Sequence, residues 1–67
     1  MASVAKHIRR LRTERHMTQG DLAEKLFVTR QTVSNYENGR TRPDIDMLLD
    51  IAAALEQAGG EDVTLLI

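Results

Sequence analysis

The chain contains no cysteine. Disulfides and the usual zinc frameworks are therefore excluded, and 67 residues must hold together by packing alone. The same lack agrees with a reducing cytosol. No long hydrophobic run is present either: the longest, residues 51–55, falls far short of the ~18 residues of a membrane span. The N-terminus turns basic without an apolar stretch, so no secretory signal is expected. Bases are missing from residues 43–67, which carry six acids and neither lysine nor arginine. Metal ligands are scarce as well. His7 and His16 stand nine apart with no paired ligand and read as surface histidines. Asp44, Asp46 and Asp50 cannot open a calcium loop, because its sixth and twelfth positions would be Leu49 and Leu55. No nucleophile–base pairing and no glycine-rich phosphate loop occurs. The expectation is a protein that is not an enzyme, with no cofactor and no small-molecule ligand.

What is there is one domain's worth of chain, residues 1–67, with 42% hydrophobic residues. A chain this short buries only about 60% of its unfolded surface, so its margin of stability is thin. The net charge of −1 hides a polarised molecule. Residues 1–15 set Lys6, Arg9, Arg10, Arg12 and Arg15 against Glu14 alone; residues 28–42 set Arg30, Arg40 and Arg42 against Glu37. A polyanion responds to the patch within about 8–10 Å rather than to the total.

The periodicity predicts helices throughout. Ser3 caps a first helix to about Arg15, with Val4, Ile8 and Leu11 forming its apolar stripe. Thr18 opens a second, and Asp21 three positions on resembles a capping box. This helix turns Leu22, Ala23 and Leu26 inward and stops near Phe27. Thr29 then opens a third through Val33 and Tyr36, ending at Asn38-Gly39, a natural left-handed stop. Pro43 biases Arg42 away from helix, and Asp44 caps a fourth helix with Ile45, Leu48, Leu49, Ala52 and Leu55 at helical spacing. After Gly59-Gly60, residues 61–67 read as a short last helix or as half of a dimer contact. The apolar end would also suit a fragment of a longer protein.

Helices two and three carry the functional signal. Two short helices on a tight turn pack at a steep angle, with small Ala23 at the crossing and Leu22, Leu26, Val28, Val33 and Tyr36 beneath. The outer half of helix three is Arg30, Gln31, Ser34 and Asn35, none of them needed for a core. Arginine can pair bidentately with guanine O6/N7, and Gln or Asn with adenine N6/N7, in a major groove about 12 Å wide. A solubilising face would show Glu/Lys pairs four apart instead.

Residues 18–40, TQGDLAEKLFVTRQTVSNYENGR, resemble the Cro/phage-repressor type of helix-turn-helix, the xenobiotic-response-element family. The likeness extends over residues 8–55 and includes the Pro-Asp before helix four. It implies an all-α, compact, four- to five-helix lambda-repressor-like bundle, with the helix-turn-helix proper at residues 18–38. It implies sequence-specific binding of double-stranded DNA by a transcriptional regulator, with residues 29–37 as the recognition helix. Arg30, Gln31 and Asn35 fall at base-facing positions, with Thr29 and Ser34 beside them. Gln19 and Asn38 fall at phosphate positions, and Arg40, Arg42 and Arg12 are further phosphate candidates. Arg12 and Glu37 fall where such domains place a buried ion pair, read as a structural tie rather than as a device aiming Arg12 at the backbone. A homodimer on a two-half-site operator, at the nucleoid of the cytoplasm, completes the expectation. The alternative is a protein-interaction or antitoxin-like module that uses the fold without reading DNA. One position departs from the family: Phe27 stands where many members have glycine. A left-handed backbone there costs a non-glycine residue about 1–2 kcal/mol. Either the buried ring offsets this, or the turn takes another shape.

Overall fold

Four short polar side chains start the four helices. In the computed structural model, which describes residues 3–59, Ser3 Oγ accepts from the Lys6 amide at 3.2 Å and opens α1, Val4–Glu14. Thr18 opens α2, Gln19–Leu26, with a reciprocal box. Its Oγ1 accepts from the Asp21 amide at 3.0 Å, while Asp21 Oδ2 accepts from the Thr18 amide at 2.9 Å. Thr29 Oγ1 accepts from the Thr32 amide at 3.1 Å and opens α3, Arg30–Glu37. Asp44 Oδ1 accepts from the Met47 amide at 2.8 Å ahead of α4, Ile45–Gly59. Each cap satisfies an amide that the helix itself leaves unpaired, which is why Ser, Thr and Asp occupy these positions.

The first three helices also end alike. In each, one residue in the left-handed region turns the chain, and two amides reach back to the last turn. After α1 the residue is His16 (φ 57°), with His16 N–H donating to Thr13 O at 3.0 Å and Met17 N–H to Arg12 O at 3.2 Å. After α2 it is Phe27 (φ 58°), with Phe27 N–H donating to Glu24 O and Val28 N–H to Ala23 O. After α3 it is Gly39 (φ 75°), with Gly39 N–H donating to Tyr36 O and Arg40 N–H to Asn35 O. This paired 5→2 and 6→1 pattern is the Schellman motif, for which glycine is the residue of least strain. Only one of the three is glycine. The turn at Phe27 keeps the left-handed shape, yet its ring is 95% exposed, so burial does not offset the strain.

Helix α2 packs on α3 and α4, and α1 packs on the same pair. Ile8 and Leu11 from α1, Leu22, Ala23 and Leu26 from α2, Val33 from α3, and Ile51, Ala52, Ala54 and Leu55 from α4 meet in one core. Met17, in the apparent break after α1, joins them. Val4, Val28, Tyr36 and Met47 pack on the margin. Fully burying a side chain such as Ile8 or Leu22 contributes about 1.5–3 kcal/mol. Two apolar residues of α4 lie outside, contrary to the spacing argument: Ile45 is 66% and Leu49 48% exposed. The α1/α2 pair meets the opposite side of α4, where Leu48, Ile51, Ala52 and Leu55 are buried. Among the described residues no strand occurs, and no helix is long and apolar enough to cross a membrane. The last helix or dimer contact expected for residues 61–67 lies outside the described residues.

Candidate nucleic-acid interface

One buried carboxylate organises the polar side of the molecule. Glu37, at the end of α3, is 4% exposed although ionisable. Arg12 reaches it from α1, Nε donating to Oε2 at 2.6 Å and Nη2 to Oε1 at 3.0 Å. Gln19 Nε2, at the start of α2, donates to Oε1 at 3.1 Å, and Arg9 Nε lies 3.6 Å from the same oxygen. Burial pushes the Glu37 carboxyl up, but the hydrogen bonds from Arg12 and Gln19 and the charges of Arg12 and Arg9 outweigh it. The net effect holds it below its ordinary value. Glu37 thus pins the N-terminus of α2 and the C-terminus of α3 to one face of α1.

The pin extends to the surface of α3. Arg9 Nη2 donates to Asn38 Oδ1 at 2.9 Å, and Asn38 Nδ2 donates to Ser34 Oγ at 3.2 Å. One turn earlier, Gln31 Nε2 donates to Asn35 Oδ1 at 3.1 Å. Arg30 and Gln31 are exposed, while Ser34 and Asn35 are half-buried. These four form the outer flank of α3. The Arg30 side chain lies over the start of α2, since a Cβ on Gly20 would come within 3.9 Å of its Cδ. Thr29 beside them has its hydroxyl engaged, with Oγ1 accepting the capping bond and lying 2.9 Å from Thr32 Oγ1. Its methyl group remains to meet a base, and so does its O–H where Thr32 is the donor between the two hydroxyls.

The phosphate candidates divide into two kinds. Asn38, Arg40 and Arg42 are exposed. Gln19 is half-buried with its side-chain amide on Glu37, so its backbone N–H in the first turn of α2 is what it can offer an anion. Arg12 faces inward: its side chain is 12% exposed, and Nη1 donates to Met17 O at 2.6 Å besides the two bonds to Glu37. This geometry is that of a structural tie, with the guanidinium turned mainly toward Glu37 and Met17 O. Arg15 is held similarly, with Nε donating to Leu55 O at 2.8 Å and Nη1 to Leu11 O at 3.0 Å. Sequence reading passed over Arg9 as a site residue, although it stands one turn before Arg12 on the face that meets Glu37.

A family model described as helix-turn-helix matches residues 8–57. The chain belongs to this helix-turn-helix family. It is similar to an uncharacterized HTH-type transcriptional regulator of Methanothermobacter thermautotrophicus, 42% identical over 88% of this chain and 86% of that protein. A putative HTH-type transcriptional regulatory protein of Methanocorpusculum labreanum is 38% identical over 91% of this chain, which spans only 18% of it. Multiprotein-bridging factor 1 of Candida glabrata is 41% identical over 81% of this chain and 36% of its own length. No solved structure gives a significant match. Within the helix-turn-helix, α2 is the first helix and α3 the second.

Proposed function

We propose that this helix-turn-helix domain reads double-stranded DNA sequence-specifically, with α3 in the major groove, and regulates transcription by occupying its site. The observation that carries the reading is the outer flank of α3. Arg30, Gln31, Ser34 and Asn35 lie side by side outside the core, on a helix locked to α1 and α2 through Glu37. A rigid polar flank loses little entropy when it meets base edges. Arg30 and Gln31 read bases, with Asn35, Ser34 and the Thr29 methyl beside them. Asn38, Arg40, Arg42 and the amide of Gln19 hold phosphates and set the register. Two copies act on half-sites one helical turn apart, about 34 Å, in the nucleoid.

Selection of bound duplexes from a random pool tests this directly. On the selected site, Arg30→Ala is expected to cost about 1–3 kcal/mol and to relax preference at one base position. Arg40→Ala is expected to weaken every sequence alike and to flatten the salt slope by about one unit. Unchanged affinity and base preference in Arg30→Ala would remove this flank as the reading surface.

A further inference from the structure

The backbone of Asn38 is fixed on both sides. Its N–H donates to Ser34 O at 2.9 Å, and Gly39 turns the chain directly after it (φ 75°). What the backbone leaves undecided is the side-chain amide, an exposed group with an acceptor at one end and two donors at the other. Two neighbours settle which end points where. Arg9 reaches across from α1 and places Nη2 2.9 Å from Oδ1, while Nδ2 lies 3.2 Å from Ser34 Oγ, one turn back on α3. A guanidinium carries donors and no acceptor, so the end of the amide that meets Arg9 must be the oxygen. Ser34 by itself would decide nothing, because a hydroxyl donates or accepts equally well. Arg9 is steadied by Glu37, whose Oε1 lies 3.6 Å from its Nε, yet its side chain stays 54% exposed.

The row of bonds therefore has a direction. Arg9 occupies Asn38 Oδ1, and Ser34 Oγ receives one of the Nδ2 protons. What the row still offers is mostly donors: the second Nδ2 proton, the Ser34 hydroxyl proton and the remaining N–H groups of Arg9. An ionised backbone phosphate accepts hydrogen bonds and donates none, so it suits such a row. We infer that Arg9 is a positioning residue of the DNA contact: it sets the direction of the Asn38 amide, so that a phosphate meets its N–H rather than its C=O. This rests on the reading of α3 as the DNA-contacting helix, and it adds a residue of α1 that lies 29 positions from Asn38. Without Arg9 the amide turns over at little cost, since the Ser34 hydroxyl bonds either end, and Oδ1 then faces the phosphate as one acceptor against another.

Two measurements on the whole chain test this. In NMR spectra of the free protein, Arg9→Ala is expected to move the two Asn38 side-chain N–H resonances toward those of a freely turning amide, with the backbone resonances of the core left in place. Arg9→Met, which keeps the apolar stem, is expected to do the same. On the duplex selected from a random pool, Arg9→Ala and Asn38→Ala are each expected to weaken binding by about tenfold, and the double variant by little more than either alone. The Arg9→Ala loss is expected to fall alike on selected and unselected sequences, since a phosphate carries no base identity. Asn38 resonances that ignore Arg9→Ala, or single losses that multiply to about a hundredfold in the double variant, overturn this inference and leave α3 as the reading helix. A wild-type chain that binds no duplex overturns the DNA reading and this inference with it.

Discussion

His16 and Phe27 each occupy a conformation that glycine adopts without strain, and Gly39 performs the same role at the third helix end. The left-handed cost for an L-residue is about 1–2 kcal/mol, from which glycine's larger unfolded-state entropy subtracts about 0.4–1 kcal/mol. His16→Gly and Phe27→Gly are each expected to stabilise the domain by about 0.5–1 kcal/mol in urea unfolding. In a domain of this size, 1 kcal/mol moves Tm by about 4–8 °C. Phe27 is the sharper case, since its exposed ring has no burial to lose. A Phe27→Gly variant less stable than wild type would mean that the ring contributes to the fold after all. Asp21 belongs to the same scale. The Thr18 amide, and then its hydroxyl, hold the Asp21 carboxyl below its ordinary value. Thr18→Ala is expected to cost about 0.5–2 kcal/mol through loss of the cap.

At the scale of elements, the decisive contact is the one that ties α1 to α3. Arg12→Met leaves the Glu37 carboxylate buried without its main partner and is expected to cost about 3–5 kcal/mol. Arg12→Met/Glu37→Met removes both charges together and is expected to cost much less, because a buried pair gains little over apolar packing. Denaturation of the two variants side by side measures this difference; equal losses would mean that the pair acts through something other than charge. The tie also explains how α3 is held in place. Its inner side meets the core through Val33, its C-terminus is held by Arg12 and Gln19, and its outer flank stays clear of the interior. Neither the Arg12–Glu37 distance nor the burial of Glu37 follows from local spacing, since the two residues are 25 apart. Only resemblance to a family suggested the pair beforehand.

For the whole molecule, the total stability expected of 67 residues is roughly 3–10 kcal/mol, so a group whose ionisation is coupled to folding bears on it. Folding lowers the Glu37 pKa, so the fold favours the ionised form. That contribution is complete above the unfolded value of 4.5 and disappears as pH falls through the lower folded value. The urea midpoint is expected to hold steady from neutrality to about pH 5 and to fall below it, and Glu37→Gln is expected to flatten this acid limb. The charge distribution acts at the same scale. Arg12 is largely covered against Glu37 and Arg15 is bonded to the Leu11 and Leu55 carbonyls, so the basic surface is smaller than the count of residues 1–15 suggests. Random duplex is therefore expected to bind at about 10⁻⁴–10⁻⁶ M and to be lost steeply with added salt. Salt-independent binding would show that the contact is not to phosphates.

The four helices and the residues that start them were legible because capping is decided within three residues of chain. Ser3, Thr18, Thr29 and Asp44 each bond an amide three positions ahead, a distance that no distant packing alters. The polar run on α3 was legible for a similar reason, since helical period alone separates it from Val33. Tertiary structure decided what depends on neighbours. It placed Ile45 and Leu49 in water and Met17 in the core, turned Arg12 inward, and kept the Phe27 backbone left-handed with its ring exposed. Apolar character and charge belong to a residue, whereas burial and pairing belong to the surface that another helix presents to it.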